Sequence, residues 1–149
     1  MLKEIIILSL LLFPNVGLSK TEVYPWAELR MIELTNEDRI SNGLPELKLN
    51  DKLMRSADNK ADDMIKNNYF EHISPAGLTP WNFIRSSGYY YRYAGENIGK
   101  DFAKLEAAER KFMNSNVHRA VILNSRYEEI GVSVKQWKGE YLIVVHFGR

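Results

Sequence analysis

"IGVSVKQWKGEYLIVVHFG", residues 130–148, decides how this chain is to be folded. In its first part Ile130, Val132 and Val134 alternate with Gly131 and Ser133, the two-residue period of a strand. Its second part, "YLIVVHFG" at 141–148, is an unbroken apolar and β-branched run, typical of a strand covered on both faces. Lys138-Gly139 between the two marks a turn, so the chain is expected to end in a β-hairpin.

Upstream of the hairpin the spacing is helical. Residues 28–41 favour helix, with Leu29, Ile32 and Ile40 on or near one face, and "NGLP" at 42–45 ends it through Gly43 and Pro45. Asn50 is read as the cap of a second helix whose Leu53, Ala57, Ala61 and Met64 form a narrow apolar stripe that stops near Asn67–Asn68. "YFEHISPAGLTP" at 69–80 reads as loop, because Pro75, Gly77 and Pro80 break any period. Thr79-Pro80 opens a short third helix with Trp81 and Ile84 inward, closed by Gly88. Tyr89 to Tyr93 is read as a short strand. Asp101 is read as the cap of a fourth helix carrying Phe102, Leu105, Ala108 and Phe112, and Ser115 as the cap of a further short helix. Helices first and a terminal hairpin last give an α+β single domain, with helices on both sides of a small, mainly antiparallel sheet.

Composition narrows the function. The chain has 149 residues, 45% of them hydrophobic, which suits one domain with a real core. Its formal net charge is +1, and no basic stripe stands out; four tyrosines at 89, 90, 91 and 93 have only Arg85 and Arg92 nearby. Nucleic acid is therefore set aside as a partner. "MLKEIIILSLLLFPNVGLSK" has the layout of a secretory signal peptide: Lys3, an apolar run from Ile5 to Phe13, then Gly17 and Ser19 at the cleavage positions. The run is shorter than the roughly 20 apolar residues of a membrane span. Residues 1–19 are thus expected to be removed and residues 20–149 to form a secreted domain, extracellular or periplasmic. The sequence contains no cysteine, so no disulfide and no cysteine-linked lipid is expected to hold it.

Three histidines, His72, His118 and His146, are spread along the chain with no compact metal-ligand spacing among them. The larger pattern is more specific. "LTNEDRISNGLPELKLN" at 34–50, "LMRSADNKADDMIKNNYFEHISPAG" at 53–77, "YAGENIG" at 93–99 and "FMNSNVHRAVILNSRYEEIGVSV" at 112–134 follow one another in order. Together they resemble the bacterial branch of the CAP superfamily, named for cysteine-rich secretory proteins, antigen 5 and pathogenesis-related 1. The resemblance implies an α-β-α sandwich. It also implies a cleft that gathers two histidines and two acids, where some members bind zinc. Carried over by motif, His72 is the first histidine, Glu96 the acid of "GEN" and His118 the second histidine. Phe112 and Ser115 stand where the family's tryptophan and second acid would be, so the tetrad is reduced to three. His146 matches no family site and is given no role.

On this reading Gly95 and Gly99 let the backbone turn and approach the cleft, and Glu96 points between His72 and His118. Two imidazoles and a carboxylate make up a set known for catalytic zinc. Ser115 has a simpler job as a helix cap. A serine nucleophile, Ser74 beside His72 or Ser115 beside His118, lacks the surroundings of a nucleophile elbow. Two functions follow from the resemblance. The first is a binding or effector domain for a lipid or protein partner, with an apolar groove outside the histidine cleft from Trp81, Phe83, Tyr89–Tyr93 and Trp137; a monomer is expected. The second is a zinc-assisted hydrolase with Glu96 as ligand or base and His72 and His118 as ligands.

Overall fold

The computed structural model describes residues 26–149; the segment read as a signal peptide lies outside them. Among the described residues five helices and four strands follow in the order α1 (Trp26–Ser41), β1 (Lys48–Leu49), α2 (Asp51–Lys66), α3 (Pro80–Ser86), β2 (Ala94–Phe102), α4 (Leu105–Met113), α5 (Asn116–Ile122), β3 (Glu129–Trp137) and β4 (Glu140–Gly148). The sheet order is β1-β3-β4-β2, with β1 parallel to β3 and the other pairs antiparallel. The expected hairpin is β3–β4, turning at Lys138 and Gly139, both with positive φ.

The period of β4 sorts the core into two layers. Leu142 and Val144 face α2, where they join Ala57, Ala61 and Met64. Ile143, Val145 and Phe147 face the other way and pack with Met31, Leu105, Ala108, Phe112 and Ile122 from α1, α4 and α5. Both faces of β4 are covered, as its continuous apolar run requires. The apolar stripe read on α2 is fully buried, and Asn50 caps that helix by accepting from the backbone N–H groups of Lys52 and Leu53. Gly131 allows α2 to lie close on the sheet: a Cβ there would collide with the backbone of Leu53 and Met54.

Several expectations are corrected. Leu29 and Ile40 are exposed, while α1 buries Met31, Ile32 and Leu34 together with Glu28, Thr35, Asn36 and Arg39. The polar members of that face are held individually. Asn36 exchanges two hydrogen bonds with the backbone of Leu47, and Arg39 donates to the carbonyls of Pro45, Ile122, Asn124 and Tyr127. Tyr89–Tyr93 is not a strand; its end is tied to Arg149, and β2 begins at Ala94. Asp101 does not cap α4 but lies in β2 with φ 65°, and Lys104 occupies the cap position. Gly95 and Gly99 form no sharp turn. They are strand residues whose missing side chains make room for the rings of Tyr127 and of Phe102 and Phe112.

Candidate functional site

Strand register places Glu96. It is paired across the ladder with His146, so the two side chains leave the sheet on the same face, the one covered by α2. His146 is fully buried, and its Nε2 lies 2.8 Å from Oε2 of Glu96. Its other ring nitrogen, Nδ1, is hydrogen-bonded to the hydroxyl of Ser56, itself fully buried in α2. The second oxygen of Glu96, Oε1, meets Nδ1 of His72 at 2.6 Å. His72 comes from the loop after α2 and has about half its side chain, 54%, in solvent.

That loop is anchored by a lysine. Lys60 is completely buried in α2, and its ammonium donates to the Tyr69 hydroxyl at 3.1 Å and to the carbonyls of Glu71 and His72 at 2.9 Å each. All three ammonium donors thus have a partner, which is what lets the group be buried. Burial pulls its pKa down from the ordinary value, while the negative charges of Glu96 and Asp63 act the other way.

The electrostatics of Glu96 follow from this enclosure. Burial alone would raise its carboxyl, but the hydrogen bonds from His146 and His72, aided by the Lys60 charge, outweigh that and hold it below the ordinary value. His72 moves upward, chiefly through its hydrogen bond to Glu96 and against its partial burial. An ionised carboxylate only accepts, so His146 Nε2 and His72 Nδ1 must both carry hydrogens.

His118 sits in a different setting. Asn97, of opposite parity to Glu96 on β2, donates its amide to the His118 carbonyl at 3.1 Å. The His118 ring packs on Phe112 with centroids 5.1 Å apart, and its Nδ1 lies 2.9 Å from the Ser115 hydroxyl. Ser115 also caps α5, accepting from the His118 N–H, as expected from the sequence. Burial and the charge of nearby His72 push the His118 imidazole down, toward its neutral form. The structure therefore joins His72 directly to Glu96 and Ser115 directly to His118, as two separate pairs.

Sequence reasoning missed His146, Ser56 and Lys60. His146 was read as one more residue of a strand, and it is instead the second partner of Glu96. Both carboxylate oxygens of Glu96 are engaged by histidines, through Nδ1 of His72 and Nε2 of His146. Among the described residues no group of three or more His, Asp or Glu is arranged to hold a metal ion. Catalytic zinc usually takes three protein ligands; as folded, Glu96 is bonded to His72 and His146, and His118 to Ser115. Ser74, weighed as a nucleophile, is buried and its hydroxyl accepts from the Leu78 N–H, a loop-closing role.

The histidine–glutamate pair opens into a cleft of about 420 Å³. Its walls include Ile73, Pro80, Trp81, Val121 and Tyr127, with His72 and Glu96 at the polar end. Ile73 and Trp81 are exposed at its rim, and Trp81 leans on Tyr91. Phe83 and Tyr89, read as groove residues, are buried in the core instead.

Comparison with known proteins agrees with this architecture. The family model for the cysteine-rich secretory protein family, CAP, matches residues 32–147. Protein YkwD of Bacillus subtilis is 41% identical over 105 residues, covering 70% of this chain and 41% of its own length. An extracellular protein containing a SCP domain from Bacillus anthracis superposes with a TM-score of 0.75 at 28% identity, over 83% of this chain and 40% of the other. A cysteine-rich secretory protein from Staphylococcus aureus gives a TM-score of 0.69 at 26% identity, over 87% of this chain and 41% of the other. The chain thus spans about two fifths of the length of these relatives. No helix among the described residues is long and apolar enough to cross a membrane. The chain belongs to the CAP family of cysteine-rich secretory proteins.

Proposed function

We propose that this is an exported, monomeric binding domain whose cleft receives an apolar ligand or partner segment, with His72 meeting a polar group of that ligand. The observation that carries the reading is the composition of the cleft: one half-exposed histidine on a buried carboxylate, beside exposed Ile73 and Trp81 and the apolar faces of Pro80, Val121 and Tyr127. Its volume of about 420 Å³ lies in the range of small-molecule sites, and mostly apolar walls with few polar groups are their usual makeup. A lipid chain with a polar head is the ligand class best matched to such walls. Export rests on the signal-like residues 1–19 and on the extracellular relative from Bacillus anthracis.

The test is titration of the purified protein with a fluorescent fatty-acid analogue, followed through energy transfer from tryptophan. Saturable binding is expected, weakened at least tenfold by Trp81→Ala and less by His72→Ala. Absence of saturable binding to the analogue, together with failure of unlabelled fatty acid or sterol to protect the protein against heat, would overturn the lipid reading.

The hydrolase alternative needs a free base or a bound metal. Each Glu96 oxygen already accepts a hydrogen bond, from His72 and from His146, so either role would compete with those bonds. The metal reading predicts a zinc-dependent rise in melting temperature, abolished by EDTA and by His72→Ala or His118→Ala. The binding reading predicts no zinc-dependent shift that those substitutions remove.

A further inference from the structure

Behind the cleft, four side chains form one continuous hydrogen-bonded chain from the interior to the surface: Ser56, His146, Glu96 and His72. Ser56 and His146 are completely buried, Glu96 nearly so, and His72 is half exposed. Serine, histidine and acid are the components of an acyl-transfer triad, but the order of exposure is reversed. The serine is sealed beneath α2 and can meet no substrate, so the working end of the chain is the histidine at the opposite terminus.

The directions of the bonds follow from the chemistry of the members. Ionised Glu96 accepts at both oxygens, so His146 donates through Nε2 and His72 donates through Nδ1. With Nε2–H committed to Glu96, Nδ1 of His146 is left to the Ser56 hydroxyl, which holds the ring in place. Both histidine hydrogens therefore point toward Glu96. Without a donor on Oε2, the carboxylate could rotate about its terminal bond and present either oxygen, at varying angles, to His72. With His146 bound it has one orientation. Lys60 adds the second constraint, holding the His72 backbone carbonyl so that the ring meets Oε1 at one place.

We propose that His146 and Ser56 are positioning residues for the cleft: acting from inside the sheet, they fix the Glu96 carboxylate so that His72 is held as its Nδ1–H tautomer, with Nε2 left to the ligand. This is the logic by which an outer carboxylate fixes the tautomer of a functional histidine, here extended inward by one more imidazole and a hydroxyl. The proposal deepens the binding reading, since it concerns the group that reading sets at the polar end of the cleft.

The experiment is long-range ¹H–¹⁵N correlation NMR of the ligand-free, ¹⁵N-labelled protein, which reports the tautomer of each histidine directly. At a pH where His72 is neutral, the parent protein is expected to show His72 as a single Nδ1–H tautomer. In His146→Leu the signature should be lost and replaced by a mixture rich in the Nε2–H form that free imidazole favours. His146→Gln, whose amide can still donate to Oε2, should restore it. Should the leucine variant fail to fold, Ser56→Ala decides: releasing Nδ1 of His146 should weaken the grip on Glu96 and shift His72 part of the way. An unchanged His72 tautomer in whichever folded variant is measured, or a parent protein already in mixed tautomers, overturns the proposal. A failure of lipid binding alone leaves this readout untouched, so the two ideas fall separately.

Discussion

Glu96 and Glu109 are buried to nearly the same depth, on opposite faces of the sheet, with 7% and 3% of their surface exposed. Their carboxyls are nevertheless driven in opposite directions. Glu96 accepts a hydrogen bond at each oxygen, from His72 and His146, and is held below the ordinary value against the effect of burial. Glu109, on α4 against α1, accepts one bond, from the Thr35 hydroxyl at 3.3 Å, and its Oε1 has no hydrogen-bond partner. Burial first, and then the neighbouring Asp38 carboxylate, push it up to about 8. The contrast teaches that donors at both oxygens, rather than depth, decide whether a buried acid keeps its charge. The charged one faces the cleft; the other is an uncharged packing residue at neutral pH.

The largest effect should come from removing the satisfied acid. Glu96→Ala strands the buried Nε2–H of His146 and leaves Lys60 without its nearby counter-charge, so a loss of about 3–5 kcal/mol is expected. Urea unfolding at pH 7 measures it, and a loss under 1 kcal/mol would show that the network contributes little to holding the sheet to α2.

Glu109→Gln should act in the opposite direction, by on the order of 2 kcal/mol. The raised carboxyl means that the folded protein keeps a proton that the unfolded chain has released between its ordinary value of 4.5 and about 8. Parental stability therefore falls across that window and is level above it. A glutamine carries no such proton and can donate to Asp38. Melting curves of parent and variant should coincide near pH 4, separate as pH rises, and differ most above pH 8, with the variant more stable. Parallel curves across that range would mean that Glu109 is ionised after all.

The same contrast explains which parts of the fold could be read from sequence. The hairpin, the α2 stripe and the caps at Asn50, Thr79 and Ser115 are governed by local period and local hydrogen bonds, and all are found where they were expected. Helix α1 defeats that logic. Its buried face mixes apolar residues with Glu28, Thr35, Asn36 and Arg39, each bonded to a distant backbone or side-chain partner, Glu28 through one oxygen only, while Leu29 and Ile40 stay outside. β1, two residues long, is too short to show a period at all. In the site, the motif resemblance pointed to His72 and Glu96, which do meet. His146 was invisible because "LIVVHFG" reads as a strand whatever the histidine does, and its meeting with Glu96 exists only through the β2–β4 register. Lys60 was invisible because a lysine on an amphipathic helix is ordinarily in solvent.

His72→Ala should give the smallest effect, and its pH dependence is more informative than its size. The Glu96 hydrogen bond raises the His72 imidazole, so the folded protein binds a proton there more tightly than the unfolded chain. That stabilisation is fully present below the ordinary value of 6.5 and is lost as pH rises through the raised one. Half the ring is in water, so screening keeps the contribution under about 1 kcal/mol. The variant should therefore be less stable than the parent at pH 6 and approach it at pH 9. Glu109 changes over the same range, but equally in both proteins, so it cancels in the difference between their melting curves. Glu96 stays ionised throughout that range, its own contribution being lost only as pH falls below 4.5 through its lowered value. Removing the His72 charge also relieves His118, which that charge pushes down, so a pH-dependent gap would belong to His72 and the two groups it acts on, Glu96 and His118. A constant gap would mean that His72 reaches Glu96 through packing and not through charge, and Glu96 would then owe its ionised state to the buried side of the chain, His146 and Lys60.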